Sequence, residues 1–255
     1  MKSKNELKEI ADFIADYATC LLGSGVHTSR VIRNSDRIGK ALGVTMKMTS
    51  FPKTIILSVY DTDSDNVQTE VVSIPPLPIN FEYNSELSGL SWDAYDGLLT
   101  LDEIRRRYHA VRARRVMPPA LIVLLVGLAN AAFCRLFGGD WGAVGVVFAA
   151  TAAGFSVRRY MQRLKVNHFI VFSVSALTSS MIASAALWFD GTAEIALATS
   201  VLYLIPGVPL INGVIDIMEG HSLTGVSRLI QAVLLIICIA VGMSLPLLLF
   251  KSSVL

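Results

Sequence analysis

The stretch Ile205-Pro206-Gly207-Val208-Pro209-Leu210-Ile211-Asn212-Gly213-Val214-Ile215-Asp216 decides how this chain is read. It closes a run, Ile195 to Ile215, that holds no Asp, Glu, Lys or Arg. Such a run is long enough to span a bilayer, which needs about 20 apolar residues. Yet two prolines, two glycines and an asparagine interrupt it. Proline removes a helix hydrogen bond and clashes with the preceding turn. In lipid, a freed carbonyl is costly unless protein, water or a ligand satisfies it. Two readings follow. Either the break is a binding site, as in the broken helices of secondary transporters, or it is a kink that serves packing alone.

Four more apolar segments surround it: Val116 to Cys134, Trp141 to Val157, Val166 to Phe189 and Leu229 to Phe250. Fifteen of the 22 Lys/Arg and fifteen of the 20 Asp/Glu fall in residues 1 to 115. A soluble domain of 140 residues needs more surface charge than the remainder provides, so 116–255 is expected to be a five-span transmembrane domain. Trp141 and Trp188 stand at segment ends, where interfacial aromatics gather. Arg105, Arg106, Arg107, Arg112, Arg114 and Arg115 precede the first span. Arg158, Arg159, Arg163 and Lys165 follow the second, and Arg228 follows the fourth. The opposite loops and terminus offer only Arg135 and Lys251. That asymmetry predicts the N-terminus inside and the C-terminus outside. The second and third spans carry Gly142, Gly145, Thr151, Gly154, Ser173, Ser175, Thr178, Ser179, Ser180 and Ser184. Small and hydroxylated residues suit close helix packing, or line a polar path.

Residues 1–115 are expected to form a cytosolic α+β domain. Leu7, Ile10, Phe13, Ile14, Tyr17 and Leu21 recur at helical spacing over 5–22, and His27 to Leu42 reads as a second helix ending at Gly43. Val44 to Thr49, Thr54 to Tyr60 and Val67 to Ile74 are β-branched runs that read as strands. Glu82 to Asp96 and Thr100 to Arg115 read as helices. Arg30, Arg33 and Arg37 make one basic stripe, either a solvated face or an anion-binding, regulatory site.

Several classes are disfavoured. Asp61-Thr62-Asp63-Ser64-Asp65-Asn66 opens like a calcium loop, but the sixth position is Asn66 and the twelfth Val72, so it reads as a polar hairpin turn. Cys20, Cys134 and Cys238 are far apart and read as small buried hydrophobes rather than a metal or disulfide site. His27 and His109 have no catalytic constellation, and no HExxH, Walker loop or GxGxxG occurs. No enzyme activity, cofactor, metal or nucleic-acid partner is expected. The start, MKSKNELKEI, lacks an apolar core, so no cleavable signal is expected.

Three stretches together resemble the bacterial threonine/serine exporter family, most closely its separate large-subunit form. They are Ser24-Gly25-Val26-His27-Thr28-Ser29-Arg30; Asn84 to Leu101; and Pro206 to Gly213 followed by Asp216, Gly220-His221 and Gly225. The resemblance covers essentially the whole chain. It implies export of small polar metabolites, threonine and serine among them. Full-length members have roughly twice as many spans. In split members a five-span large subunit with a cytosolic domain works with a smaller membrane partner, and such pairs are associated with export of dicarboxylates such as succinate.

The expected protein is therefore an α-helical membrane protein with about five spans and an N-terminal α/β domain, in the bacterial cytoplasmic (inner) membrane. It would be a secondary exporter subunit acting with a smaller partner, or with a second copy of itself. Pro206, Gly207 and Pro209 would interrupt the helix. Asn212 would contact solute, Gly213 would let backbone approach, and Asp216 would titrate. Ser179 and Ser180 would line the path. The alternative is a membrane-anchored domain that senses or hydrolyses a metabolite, with the spans as scaffold.

Overall fold

The computed structural model describes residues 2–62, 66–114, 117–189 and 192–249. The middle of the predicted polar turn (Asp63 to Asp65), Arg115, Val116, Phe250 and Lys251 lie outside the described residues, as does the side chain of Trp188. The chain divides into two compact units. One comprises Met1–Arg115 with Val208–Ile230, the other Val116–Gly207 with Gln231–Leu255.

In the first unit α1 is Lys4–Gly23, α2 is Thr28–Ala41, and β1 to β3 are Val44–Ser50, Thr54–Asp61 and Val67–Ser73. Helices α3 (Phe81–Gly97) and α4 (Leu101–Arg112) follow. The strands form an antiparallel meander, β1-β2-β3. The sheet is thus small, three strands carried by four helices, an α+β arrangement rather than a parallel α/β one. Local chemistry explains the helix starts. The Ser3 hydroxyl accepts from the Glu6 amide, Asn80 accepts from Tyr83, and Thr100 with Glu103 forms a capping box. The buried face of α1 (Leu7, Ile10, Ile14, Tyr17, Leu21) meets Ile55, Leu57 and Val59 of β2, Leu87 of α3, and Ile104 and Tyr108 of α4 in one core. The alternation along β2, with Ile55, Leu57 and Val59 inward, is what a one-sided antiparallel sheet requires.

Helices α9 (Gly207–Met218) and α10 (Ser222–Leu249) contribute Val208–Ile230 to this unit. The α9–α10 turn is a Schellman motif. His221 N–H donates to the Asp216 carbonyl and Gly220 N–H to that of Ile217, with Gly220 at φ 87°.

The second unit contains α5 (Pro119–Leu136), α6 (Trp141–Arg163), α7 (His168–Ala183), a 3-10 turn (Ser184–Phe189), α8 (Ala193–Ser200), a second 3-10 turn (Leu202–Leu204) and the end of α10. Among the described residues, Pro119–Leu136, Trp141–Arg163, His168–Leu187 and Ser222–Leu249 are long and apolar enough to cross a membrane. The interrupted pair Ala193–Leu204 and Gly207–Met218 is a fifth candidate. The protein is a multi-pass helical membrane protein. Its helix contacts are made by small residues: Ala143, Ala150, Ala176, Ala183 and Ala196 are fully buried, while Leu124, Leu125 and Leu128 of α5 face outward. This is the arrangement expected when lipid supplies no hydrophobic drive and close approach must do the work.

Three boundaries differ from the sequence expectation. The α-helical part of the third span stops at Ala183 and tightens into a 3-10 turn. The second span continues to Arg163, which places Arg158 and Arg159 within helix rather than loop. The fifth helix begins at Ser222, not Leu229, so Arg228 is helical too.

Candidate functional site

The candidate site residues lie on the two halves of the broken helix, and each half has polar partners within its own unit. On the side of the second unit, the Ile205 N–H bonds the Leu202 carbonyl and the Gly207 N–H bonds that of Ile205. Pro206 has no N–H, so the Tyr203 carbonyl loses its 3-10 donor. Arg158 of α6 takes that place, donating from Nη1 at 3.4 Å. The Tyr203 hydroxyl lies 3.0 Å from Ser179 Oγ, which also donates to the Ala150 carbonyl. Ser180 is buried and bonds back to the Ala176 carbonyl one turn earlier. Thus Ser179 belongs to the polar cluster before the break, whereas the hydroxyl of Ser180 is spent within its own helix.

After the break, Pro209, Asn212, Gly213 and Asp216 lie on α9 in the first unit. Asn212 Nδ2 donates to the Gly25 carbonyl at 2.7 Å. Asp216 is fully buried, and its Oδ1 accepts the Thr28 backbone N–H at 2.8 Å. Thr28 is the first residue of α2, and His27 before it makes no side-chain cap. A carboxylate 188 residues away therefore supplies the anion that the helix N-terminus favours. Arg228 balances the charge. Its Nη1 stands 2.9 Å from Asp216 Oδ2, a close charge pair without hydrogen-bond alignment, and its Nη2 donates to the Val26 carbonyl at 3.2 Å. Thr224 Oγ1 donates to the Ser50 carbonyl, fixing the start of α10 beside β1. Gly213 is required by close approach. A Cβ there would meet Leu229 Cδ2 at 2.9 Å and the Gly225 carbonyl at 3.1 Å. Gly207, by contrast, has open space around its missing Cβ.

The basic stripe of α2 is neither bare nor uniform. Arg33 Nη1 lies 3.5 Å from Glu219, and Arg37 bonds Asn34 and Ser91 while stacking 3.7 Å over the Trp92 ring. Arg30 stands among intermediate-exposure residues beside them. Sequence reasoning passed over three participants: Arg228, Glu219 and His27. The signal for Arg228 was available, because a buried carboxylate in an apolar run demands a cation, and Arg228 is the nearest one C-terminal to it.

His27 Nδ1 lies 3.3 Å from Glu219 Oε2. Burial lowers the His27 pKa below its ordinary 6.5 despite the opposing pull of Glu219, so the neutral ring is favoured in the fold. The Ser29 hydroxyl, with His27 and Arg33 beside it, holds the Glu219 carboxyl below its usual range. A depressed histidine contributes stability that is complete above 6.5 and is lost as pH falls through the lower folded value. His27→Gln is therefore expected to flatten the acid dependence of the melting temperature between about pH 7 and 5. Thermal unfolding of the detergent-solubilised protein across that range is the check. Equal slopes in both proteins would show that His27 carries none of it.

The chain is a multi-pass helical protein with one interrupted candidate span, and polar side chains lie beside each half of it. The chain belongs to the ThrE threonine/serine exporter family, whose model matches residues 12–250. It is similar to the probable succinate transporter subunit YjjP of Klebsiella aerogenes, with 30% identity over 242 residues, 94% of this chain and 93% of that one. The Escherichia coli protein of the same name is 30% identical over 230 residues, covering 89% of each. A probable threonine/serine exporter of Mycobacterium tuberculosis is 25% identical over 246 residues, 94% of this chain but 46% of its own length. No solved structure matches.

Proposed function

We propose that this chain is the large subunit of a secondary exporter of small hydrophilic metabolites, threonine- or serine-like amino acids or dicarboxylates such as succinate. The observation that carries the reading is the broken span, Ala193–Leu204 and Gly207–Met218, in a member of this family. The similar YjjP proteins are named as subunits, and the mycobacterial relative is about twice as long as the stretch matched here. Both facts support a smaller membrane partner that completes the pathway. The arginines of α4 and those at the end of α6, against Arg135 on the opposite side, support a cytosolic N-terminal domain in the bacterial inner membrane.

In this reading Pro206, Gly207 and Pro209 keep the helix open, and Ser179 stands beside the opening. Asn212 and Asp216 are held by Gly25, Thr28 and Arg228, partners that a solute contacting them would replace. The test is export of threonine, serine and succinate from cells lacking the native exporter. The chain is restored together with its smaller partner. An Asn212→Ala/Asp216→Asn double variant is expected to lose most export. If that variant reaches the membrane at normal level and exports at the normal rate, the site assignment is wrong.

A further inference from the structure

Arg158 is a half-buried cation of the second unit. It lies on α6 one turn beyond Gly154. Its guanidinium makes one hydrogen bond, to the Tyr203 carbonyl at 3.4 Å, and rests 4.8 Å over the Phe172 ring. Among the described residues no carboxylate pairs with it. The unit's described acids are Asp140 and Glu194. Asp140 caps the start of α6, about five turns before Arg158, and binds Thr192 beside Glu194. An arginine carries five N–H donors, and Tyr203 uses one of them. A cation in a span is costly and normally paired, or it marks the route of an anion.

The surroundings are those of a site rather than of a snorkelling anchor. The His168 ring lies 4.8 Å from the same Phe172 ring, tilted against it, adding a second nitrogenous group and no acid. Ser175, on α7 between Phe172 and Ser179, is fully buried, and its Oγ has no hydrogen-bond partner. The Tyr203 and Ser179 hydroxyls complete the cluster. The adjacent Arg159 differs: it donates to the Pro119 carbonyl, at the other face of the helix hairpin.

We propose that Arg158 binds a carboxylate group of the transported solute with the donors that its bond to the Tyr203 carbonyl leaves over. The inference rests on the exporter reading and adds to it a contact residue and the group that this residue recognises. A carboxylate matches the paired donors of a guanidinium, whereas lysine offers a single point charge. The carboxylate of an α-amino acid and that of a dicarboxylate satisfy the same chemistry. A lipid phosphate would also pair with Arg158, but the buried hydroxyls beside the helix break favour a small solute.

The experiment measures uptake of labelled succinate, threonine and threonine amide into inside-out membrane vesicles containing the full chain and its smaller partner. Arg158→Lys keeps a charge and a donor for Tyr203 while losing the paired geometry. It is expected to raise KM for whichever carboxylate solute is carried by about ten- to a hundredfold, with little change in Vmax. The KM for threonine amide, where it is carried, should stay unchanged. Arg159→Gln, which removes a charge from the neighbouring position, should leave the carboxylate KM in place. An unchanged KM in Arg158→Lys overturns the proposal. So does an equal fall in Vmax for acid and amide, which would make Arg158 only a cap for the helix break. So does an unchanged KM with activity that now depends on anionic lipid content, which would assign Arg158 to a phosphate headgroup. If wild-type vesicles carry none of these solutes above vesicles lacking the chain, the exporter reading itself fails, and this inference with it.

Discussion

Asp216→Ala should destabilise the first unit by roughly 3–5 kcal/mol, because it strands a buried cation. Asp216 is 0% exposed and Arg228 18%, so solvent screens the pair weakly. The substitution removes the acceptor for the Thr28 N–H as well, leaving the start of α2 without its only cap. Asp216→Asn is expected to be milder, since Oδ1 can still accept from Thr28, but the Arg228 charge stays unpaired. Arg228→Met should be as damaging as Asp216→Ala, for the mirror-image reason that it leaves a carboxylate buried alone. The combination Asp216→Asn/Arg228→Met removes both charges and keeps the cap. It should recover much of the loss, because replacing a whole buried pair is cheaper than breaking one. Thermal melting of the full chain in detergent reads all four variants. Single variants as stable as wild type would show that the pair is structurally idle.

These residues also show where sequence reasoning ends. The spans were legible because burial in lipid leaves a local trace: long runs without charge, bounded by arginines and tryptophans. The helices that follow Ser3, Asn80, Thr100 and Asp140 start within a residue of where the sequence placed them, and the caps there act over only three residues. The partner of Thr28 has no such trace. The α2 N-terminus is completed by a carboxylate from the far end of the chain, and the one local hint is negative: His27 cannot cap. Likewise the stretch Ser222 to Arg228 is polar enough to read as a loop, yet it is the first two turns of α10. Pairing with Asp216 removes the cost of placing Arg228 in a helix. Arg158 was legible only as a topogenic charge, because its donor role depends on a carbonyl that Pro206 frees on another helix. Charge patterns give orientation, whereas the pairing of particular charges depends on the three-dimensional path.

Gly154→Leu should be among the most damaging single changes in the second unit. Gly154 sits where α6 crosses α7 and the 3-10 turn before the break. A Cβ there would overlap Ser179 Oγ and would stand 2.5 Å from the Tyr203 hydroxyl and 3.0 Å from the Ser175 carbonyl. The two hydroxyls can rotate away only by breaking the Ser179–Tyr203 hydrogen bond, and the backbone carbonyl cannot yield without moving α7. Gly154→Ala should therefore cost about 1–3 kcal/mol, the range for overpacking a close contact. Leucine would force the helices apart. The size of the effect follows from how the helices associate. With lipid around them, their packing depends on approach distance, and a glycine at the crossing sets that distance. Ser179→Gly in the Gly154→Ala background removes the overlapping Oγ, so it should restore part of the lost stability. The same substitution in wild type should only destabilise, since it deletes a bond to Tyr203 and another to Ala150. A double-mutant cycle on melting temperature gives the coupling directly. Purely additive effects would mean that the crossing is looser than this geometry. They would also mean that Ser179 does not hold Tyr203 against the break, which would weaken the case for a polar cluster positioned there to meet a solute.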